Sequence, residues 1–244
     1  MTSGNKQLYE TDEVIAKYAA NTTRVRSLNE AEKRAVDQFD IKNKRVLVIG
    51  CGVGRVPANL LLYGNTVTAV DRSTGMLTAA RNTFPQSRFP ILTFVEADAT
   101  DLAMIADASF DVVFFAMNTV DYIETYALRT QALMQAKQKL VEGGQLVFSS
   151  HNKSAYLFSP KVQHADRTVS ALTRGYHYMK ESVVGGGEIF KGSPDFVIAD
   201  TTRITGMRFI GYACDTRNKI DRLFAKRLWL AKWWFPYVIY AFVK

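Results

Sequence analysis

The chain has 244 residues, 48% hydrophobic and 22% charged, which suits one α/β domain with an elaboration and excludes a disordered or collagen-like chain. Its charge is unevenly spread: residues 1–200 hold 22 Lys+Arg and 21 Asp+Glu, whereas residues 201–244 hold 9 and 2. The basic character therefore belongs to the C-terminal segment. The two cysteines, Cys51 and Cys214, are too few for a disulfide scaffold and suit a reducing, cytoplasmic setting.

The opening Met1-Thr-Ser-Gly-Asn-Lys lacks the apolar core of a signal peptide. Between residues 7 and 39, spaced apolar positions (Leu8, Val14, Ile15 and Tyr18, then Leu28, Ala31, Ala35, Val36 and Phe39) predict two amphipathic helices, the second capped at Ser27 or Asn29. Arg45–Gly50 is then a short apolar run ending in glycine, as expected of a strand buried on both faces of a parallel sheet. Similar runs follow at Thr66–Val70, Ile91–Val95, Phe110–Phe115 and Gln145–Ser149. Helical patterns lie at Thr74–Thr83 and Tyr126–Val141, the second ended by Gly143-Gly144. This alternation predicts βαβ units in a doubly wound sheet. After residue 152, Gly175–Gly192 reads as an antiparallel hairpin around Gly185-Gly-Gly187, and Ser193-Pro194 and Gly206 read as the two ends of a helix. A strand at Met207–Cys214, a basic helix near Asn218–Leu230 and a strand at Tyr237–Val243 complete the chain. The longest uncharged apolar run, Trp233 to Val243, has 11 residues. A bilayer-spanning helix needs about 20.

The loop Val46-Leu-Val-Ile-Gly50-Cys51-Gly52-Val-Gly54-Arg55 places three glycines after a strand, where backbone turns sharply and approaches a ligand without Cβ interference. Asp71 ends the second strand 21 residues beyond Gly50, where a Rossmann-like site holds the carboxylate that accepts ribose hydroxyls. Asp98 follows the third strand in Val95-Glu-Ala-Asp98-Ala99. Each Asp alone also fits a helix N-cap. Together they line one crevice at the carboxyl ends of consecutive strands.

These segments, with Val-Asp71-Arg72-Ser-Thr-Gly-Met76-Leu and Leu140-Val-Glu-Gly-Gly-Gln-Leu-Val-Phe, resemble the class I S-adenosylmethionine-dependent methyltransferases over about residues 8–152, and more loosely over residues 193–244. The resemblance implies a Rossmann-like, doubly wound seven-stranded sheet of order 3-2-1-4-5-7-6 with strand 7 antiparallel. It implies one methyltransferase domain over 1–244: N-terminal helices at 1–44, a cofactor-binding core at 45–152, a substrate lid at 153–205, and C-terminal strands with the basic helix at 206–244. It assigns Gly50, Gly52 and Gly54 to the methionine portion of S-adenosyl-L-methionine, Asp71 to the ribose, Met76 to the adenine face, and Asp98 with Ala99 to the adenine edge. Cys51, Arg72 and Met117 complete the implied cofactor set. One position departs from the family, since Val48 stands where an acidic residue is usual. Arg55 in place of a further glycine disfavours a GxGxxG dehydrogenase.

The acceptor side follows the fourth and fifth strands, at Phe114-Phe-Ala-Met117-Asn118-Thr-Val-Asp121-Tyr122-Ile and Ser149-Ser150-His151-Asn152. Imidazole exchanges protons near neutral pH, so His151 is the first candidate for a general base, against the alternative that it only satisfies a backbone group. Asn118 and Asp121 are candidates for orienting an acceptor, and Asp121 equally fits a helix cap. The absence of an Asp/Asn-Pro-Pro-Tyr motif argues against methylation of exocyclic base amines. In the lid, His164 and His177 accompany Tyr156, Phe158, Tyr176, Tyr178, Phe190 and Phe196, which read better as a small core of their own than as a pocket lining. No spacing suits a metal site. In the basic segment two readings stand. Either Leu223, Leu228 and Trp229 face the sheet while the lysines stay in water, or the cations and aromatics meet an anionic membrane surface or a phosphorylated or nucleic-acid substrate. Trp233, Trp234 and Phe235 are harder to hide. The reading is a methyltransferase for O or N of a small-molecule or glycan acceptor. An RNA methyltransferase is the alternative, then a non-catalytic cofactor-binding or membrane-docking protein. Nucleic acid is not favoured, weak contact with an anionic membrane surface is compatible with the tail, and the oligomeric state is open.

Overall fold

Alternate residues of the apolar strands point to opposite sides of one sheet, and both sides are covered. Leu47, Ile49, Val113, Phe115, Leu146 and Phe148 enter one core, while Val46, Val48, Val112, Phe114 and Val147 enter the other. The structure is a computed structural model describing residues 9–24, 27–155, 175–180 and 188–244. Its strands, in chain order, are β1 (Arg45–Ile49), β2 (Thr66–Asp71), β3 (Leu92–Glu96), β4 (Phe110–Phe115), β5 (Leu140–His151), β6 (Tyr176–Lys180), β7 (Glu188–Gly192), β8 (Arg208–Ala213) and β9 (Tyr237–Val243). Its helices are α1 (Asp12–Arg24), α2 (Glu30–Gln38), α3 (Arg55–Leu60), α4 (Thr74–Thr83), α5 (Tyr126–Lys139), α6 (Pro194–Thr205), α7 (Lys219–Phe224) and α8 (Leu228–Trp234).

The seven-stranded sheet has the order β3-β2-β1-β4-β5-β9-β8. Strands β1 to β5 pair in parallel, and β9 runs antiparallel to both β5 and β8, as the resemblance implied. The sheet therefore gathers the carboxyl ends of β1 to β5 and the start of β9 at one edge. β6 and β7 form a separate antiparallel pair, as the hairpin reading expected, and the Gly185-Gly-Gly187 turn lies outside the described residues.

Caps explain the helix limits. Asn29, not Ser27, begins α2 through a reciprocal pair: its Oδ1 accepts from the Glu32 amide at 2.8 Å, and its own amide donates to Glu32 Oε2 at 2.8 Å. Ser193 accepts from the Phe196 amide ahead of Pro194, and Gly206 closes α6 with φ 69°. Two expectations need correction. α5 ends at Lys139 rather than at the glycines, because Leu140 is already extended and pairs with Phe110. Gly143, with φ 74°, then falls within β5, near the register shift between Phe110 and Val112. The basic helix is two helices, because Arg227 adopts extended backbone between them. Its buried side differs as well: Leu223 is 55% and Trp229 66% exposed, whereas Ala231 and Phe235 are buried and Trp234 stacks on Phe224 at 4.4 Å.

Candidate active site

The glycine loop holds its shape through the next strand. Gly50 and Cys51 amides both donate to Val70 O, at 2.9 and 3.0 Å, and the Gly52 amide donates to Asp71 Oδ2 at 2.7 Å. The three glycines have positive φ (71°, 52° and 90°) for different reasons. A Cβ on Gly50 would lie 2.2 Å from Thr119 Cγ2, and one on Gly54 would lie 2.9 Å from Phe84 Cδ2, so both face protein. A Cβ on Gly52 would meet nothing within 4 Å. Cys51 turns its thiol into the core, where burial pushes it well above the usual range, so its backbone alone borders the crevice.

Asp71 Oδ1 accepts from the Ser73 amide at 3.0 Å, and Ser73 rather than Asp71 caps α4 by accepting from the Met76 amide at 3.1 Å. Burial raises the Asp71 carboxyl, opposed by its backbone donors. Asp98 Oδ1 takes the Thr100 amide at 2.9 Å and hydroxyl at 2.7 Å, and its Oδ2 lies 4.0 Å from Arg72 Nη1. Ala99 beside it is half-buried. Met117 is 44% exposed, and its sulfur accepts from Asn29 Nδ2 at 3.3 Å. Val48 is buried in the core, so β1 offers no carboxylate.

The N-terminal segment covers the start of α4, a contact that sequence reasoning missed. Met76 packs with Val14 and Val53, beside Tyr9, Ile15 and Tyr18. Glu10 accepts from the Thr74 and Gly75 amides at 3.2 and 3.4 Å, which places a carboxylate at a helix N-terminus. Tyr9 also meets Tyr122 edge-on at 6.1 Å, and Tyr122 meets His151 at 6.3 Å. The available signal was the apolar face of α1, which needs a partner.

Asp121 is fully buried in a 3-10 turn, Thr119–Tyr122, and does not cap a helix with its carboxylate. Its Oδ2 accepts from the His151 amide at 2.6 Å and lies 2.8 Å from His151 Nδ1, while Oδ1 accepts from Ser150 Oγ at 2.8 Å. A carboxylate only accepts, so in the neutral ring Nδ1 carries the proton and Nε2 is left as an acceptor. Asn118 Nδ2 stands 3.3 Å from that Nε2. Asn118 itself has φ 55°, is held by its amide donating to Ser149 Oγ at 2.7 Å, and keeps a buried Oδ1 with no hydrogen-bond partner. The structure thus brings Asn118, Asp121 and His151 together.

In the segment between β5 and β8, Tyr176 stacks on Phe190 at 5.3 Å and packs on Phe196 at 4.9 Å. The Arg129 guanidinium lies 4.2 Å from the Phe190 ring centre. These rings do not form a core of their own: Phe190 lies in the core cluster of Phe115 and Phe148, with Tyr176, Tyr178 and Phe196 packed against it, while Tyr156, Phe158 and His164 lie outside the described residues. His177 is buried in β6. Among the described residues, no group of three His, Cys, Asp or Glu is placed to hold a metal ion.

Residues 47–148 match the family described as "Methyltransferase domain". A ubiquinone biosynthesis O-methyltransferase of Paracidovorax citrulli is 30% identical over 138 residues, which is 56% of this chain and 56% of that protein. This region of the chain is a class I S-adenosylmethionine-dependent methyltransferase domain. The chain thus matches little more than half the length of that relative. A second ubiquinone biosynthesis O-methyltransferase, from Aromatoleum aromaticum, is 29% identical over 187 residues, covering 74% of this chain and 77% of that protein. In fold, the chain resembles the glycopeptide N-methyltransferase MtfA crystallised with S-adenosyl-L-homocysteine, with a TM-score of 0.62 at 17% identity over 96% of this chain and 98% of that one. The residues present fit the cofactor on the structure's own terms: open space over the backbone at Gly52, a carboxylate at the end of β2, and an orphaned acceptor on Asn118. No described helix is long and apolar enough to cross a membrane.

Proposed function

We propose that the protein methylates a hydroxyl oxygen of a small-molecule acceptor, with His151 as general base. When bound, S-adenosyl-L-methionine supplies a methyl group already activated by its sulfonium for in-line transfer. The chain then has to orient the acceptor and take its proton. In this reading Asp121 holds the imidazole so that Nε2 faces the acceptor, and Ser150 fixes the carboxylate in turn. Asn118 Oδ1 receives a donor of the bound pair. The loop at 50–54 and Asp71, Arg72, Met76, Asp98, Ala99 and Met117 hold the cofactor.

The carrying observation is the 2.8 Å contact of the buried Asp121 with His151 Nδ1, which leaves Nε2 as the accepting nitrogen. An amine that is already deprotonated needs no such base; a hydroxyl does. The O-methyltransferase names of the relatives point the same way. The test is turnover with candidate phenols and alcohols. His151→Ala should cut turnover about 10²–10⁴-fold with cofactor affinity nearly unchanged. Full activity of that variant on the true acceptor would reject the role of His151. The favoured acceptor would then be an amine aligned by Asn118.

A further inference from the structure

The C-terminal helix pair turns its apolar side chains the wrong way for a segment that only covers the sheet. On α7, Ile220 and Leu223, one turn apart, are 56% and 55% exposed; on α8, Trp229 and Trp233 are 66% and 36% exposed. The inner side is already complete without them. Trp234 stacks on Phe224, its indole N–H donates to the buried Asp221 Oδ1 at 2.7 Å, and Ala231 and Phe235 fill the core below. Four large outward apolar residues on 13 residues of helix therefore serve something outside the fold.

Charge selects what that is. Lys219, Arg222, Lys226 and Arg227 are exposed around these side chains and enter no salt bridge among the described residues. The acidic groups nearby are engaged: Asp221 faces inward, Asp215 pairs with Arg217, and Asp195 pairs with Lys232. We propose that the outward face of α7 and α8 docks on an anionic lipid surface, with Leu223 and Trp229 entering the interface while the cations meet headgroups. The indole and the long cationic stems suit that boundary, since each is apolar along its body and polar at its tip.

The same surface is fastened to the catalytic edge. Asn152, next to His151, donates from Nδ2 to Lys232 O and to Phe235 O, both at 2.8 Å. Docking would therefore bring the catalytic edge close to the membrane, where an acceptor carried in or on the bilayer arrives. The inference stands apart from the methyl-transfer reading, because its test reads no turnover.

All three tryptophans of the chain are Trp229, Trp233 and Trp234, so intrinsic emission reports on this helix alone. The full-length protein is titrated with phosphatidylcholine vesicles and with mixed phosphatidylcholine–phosphatidylglycerol vesicles. We expect a blue shift and co-sedimentation with the mixed vesicles only, weakened by salt. Leu223→Ser with Trp229→Ser should reduce partitioning about tenfold or more, and Lys226→Glu with Arg227→Glu should abolish the preference for anionic lipid. These positions are exposed, and a thermal unfolding curve like that of the parent shows that each variant folds. Equal binding to both vesicle types, no binding, or binding unchanged in folded variants would overturn the proposal. So would light scattering that shows a dimer lost on Leu223→Ser with Trp229→Ser, or generic RNA displacing the vesicles, since either identifies another occupant.

Discussion

In the reading proposed above, the cofactor side and the acceptor side of the sheet edge are built by opposite means. On the cofactor side the chain works mostly with backbone: the Gly52 amide, the open space above it, and the capped start of α4. The one side chain with a central part, Asp71, is set by two backbone amides. On the acceptor side it works with side chains drawn together from distant segments, Asp121 with His151 and Ser150, and Asn118 with Ser149. Backbone geometry tolerates change in the side chains around it, whereas a proton relay fails with the loss of one atom. The first half can thus stay constant across many acceptors while the second is refitted for each.

That contrast predicts different failures. On the acceptor side, Asp121→Asn should lower turnover as far as about 10⁴-fold, because an amide facing Nδ1 favours the wrong ring tautomer. Its cofactor affinity should stay within a few-fold of the parent by calorimetry. If the variant instead loses affinity and keeps turnover, the division of labour is wrong.

The next effect belongs to the packing of α5 against α6 and β7. Asp200 is buried, accepts from Tyr126 Oη at 2.5 Å and Arg203 Nη2 at 2.7 Å, and lies 3.6 Å from the fully buried Arg129. Asp200→Ala strands the Arg129 charge between α5, β7 and α6, and should cost about 3–5 kcal/mol in chemical denaturation. A loss below 1 kcal/mol, against the roughly 0–1 expected of an exposed pair, would show that the ion pair is effectively solvated.

On the cofactor side, Asp71→Ala should weaken cofactor binding by about 1.5–3 kcal/mol, the worth of a charge-assisted hydrogen bond, with turnover at saturation changed little. The pH dependence follows from its raised carboxyl. An upward shift means that protonation begins above the ordinary carboxylate range, so affinity should fall on acidification earlier than for an exposed Asp. That limb should vanish in Asp71→Asn. An affinity that is flat until the ordinary carboxylate range would remove Asp71 from the ribose.

How much of this was legible depended on sequence distance. β4 and β9 to the residue, the Ser193 and Gly206 caps and the glycine loop follow from short patterns, whereas the strand order came with the family resemblance. His151, Asn118 and Asp121 were legible as candidates, but their contact was not, because 30 residues separate the carboxylate from the imidazole and only sheet pairing joins them. The cover that α1 forms over Met76 was hidden for the same reason. The tail stayed open between two readings because periodicity shows that a helix has two faces, not which one is inward. The Trp234 hydrogen bond to Asp221 decides that, turning Trp229 and Leu223 outward.

The smallest effect, the stability cost of Gly52→Ala, tests the backbone argument within the glycine loop itself, with Gly50 as its comparison. Gly50 and Gly52 both have positive φ, so alanine at either should cost about 1–2 kcal/mol for the left-handed conformation alone. At Gly50 the new methyl would also lie 2.2 Å from Thr119 Cγ2, adding about 1–3 kcal/mol of overpacking. Thr119→Gly in that background should recover most of the added loss. At Gly52 no atom lies within 4 Å of the new methyl, so its stability cost should stop at the conformational term. Its damage should appear in calorimetry as weakened cofactor binding, because the methyl occupies space that the ligand needs. Gly52→Ala with parental cofactor affinity would mean that the open space above the loop is not the cofactor's, whatever the stability of the variant.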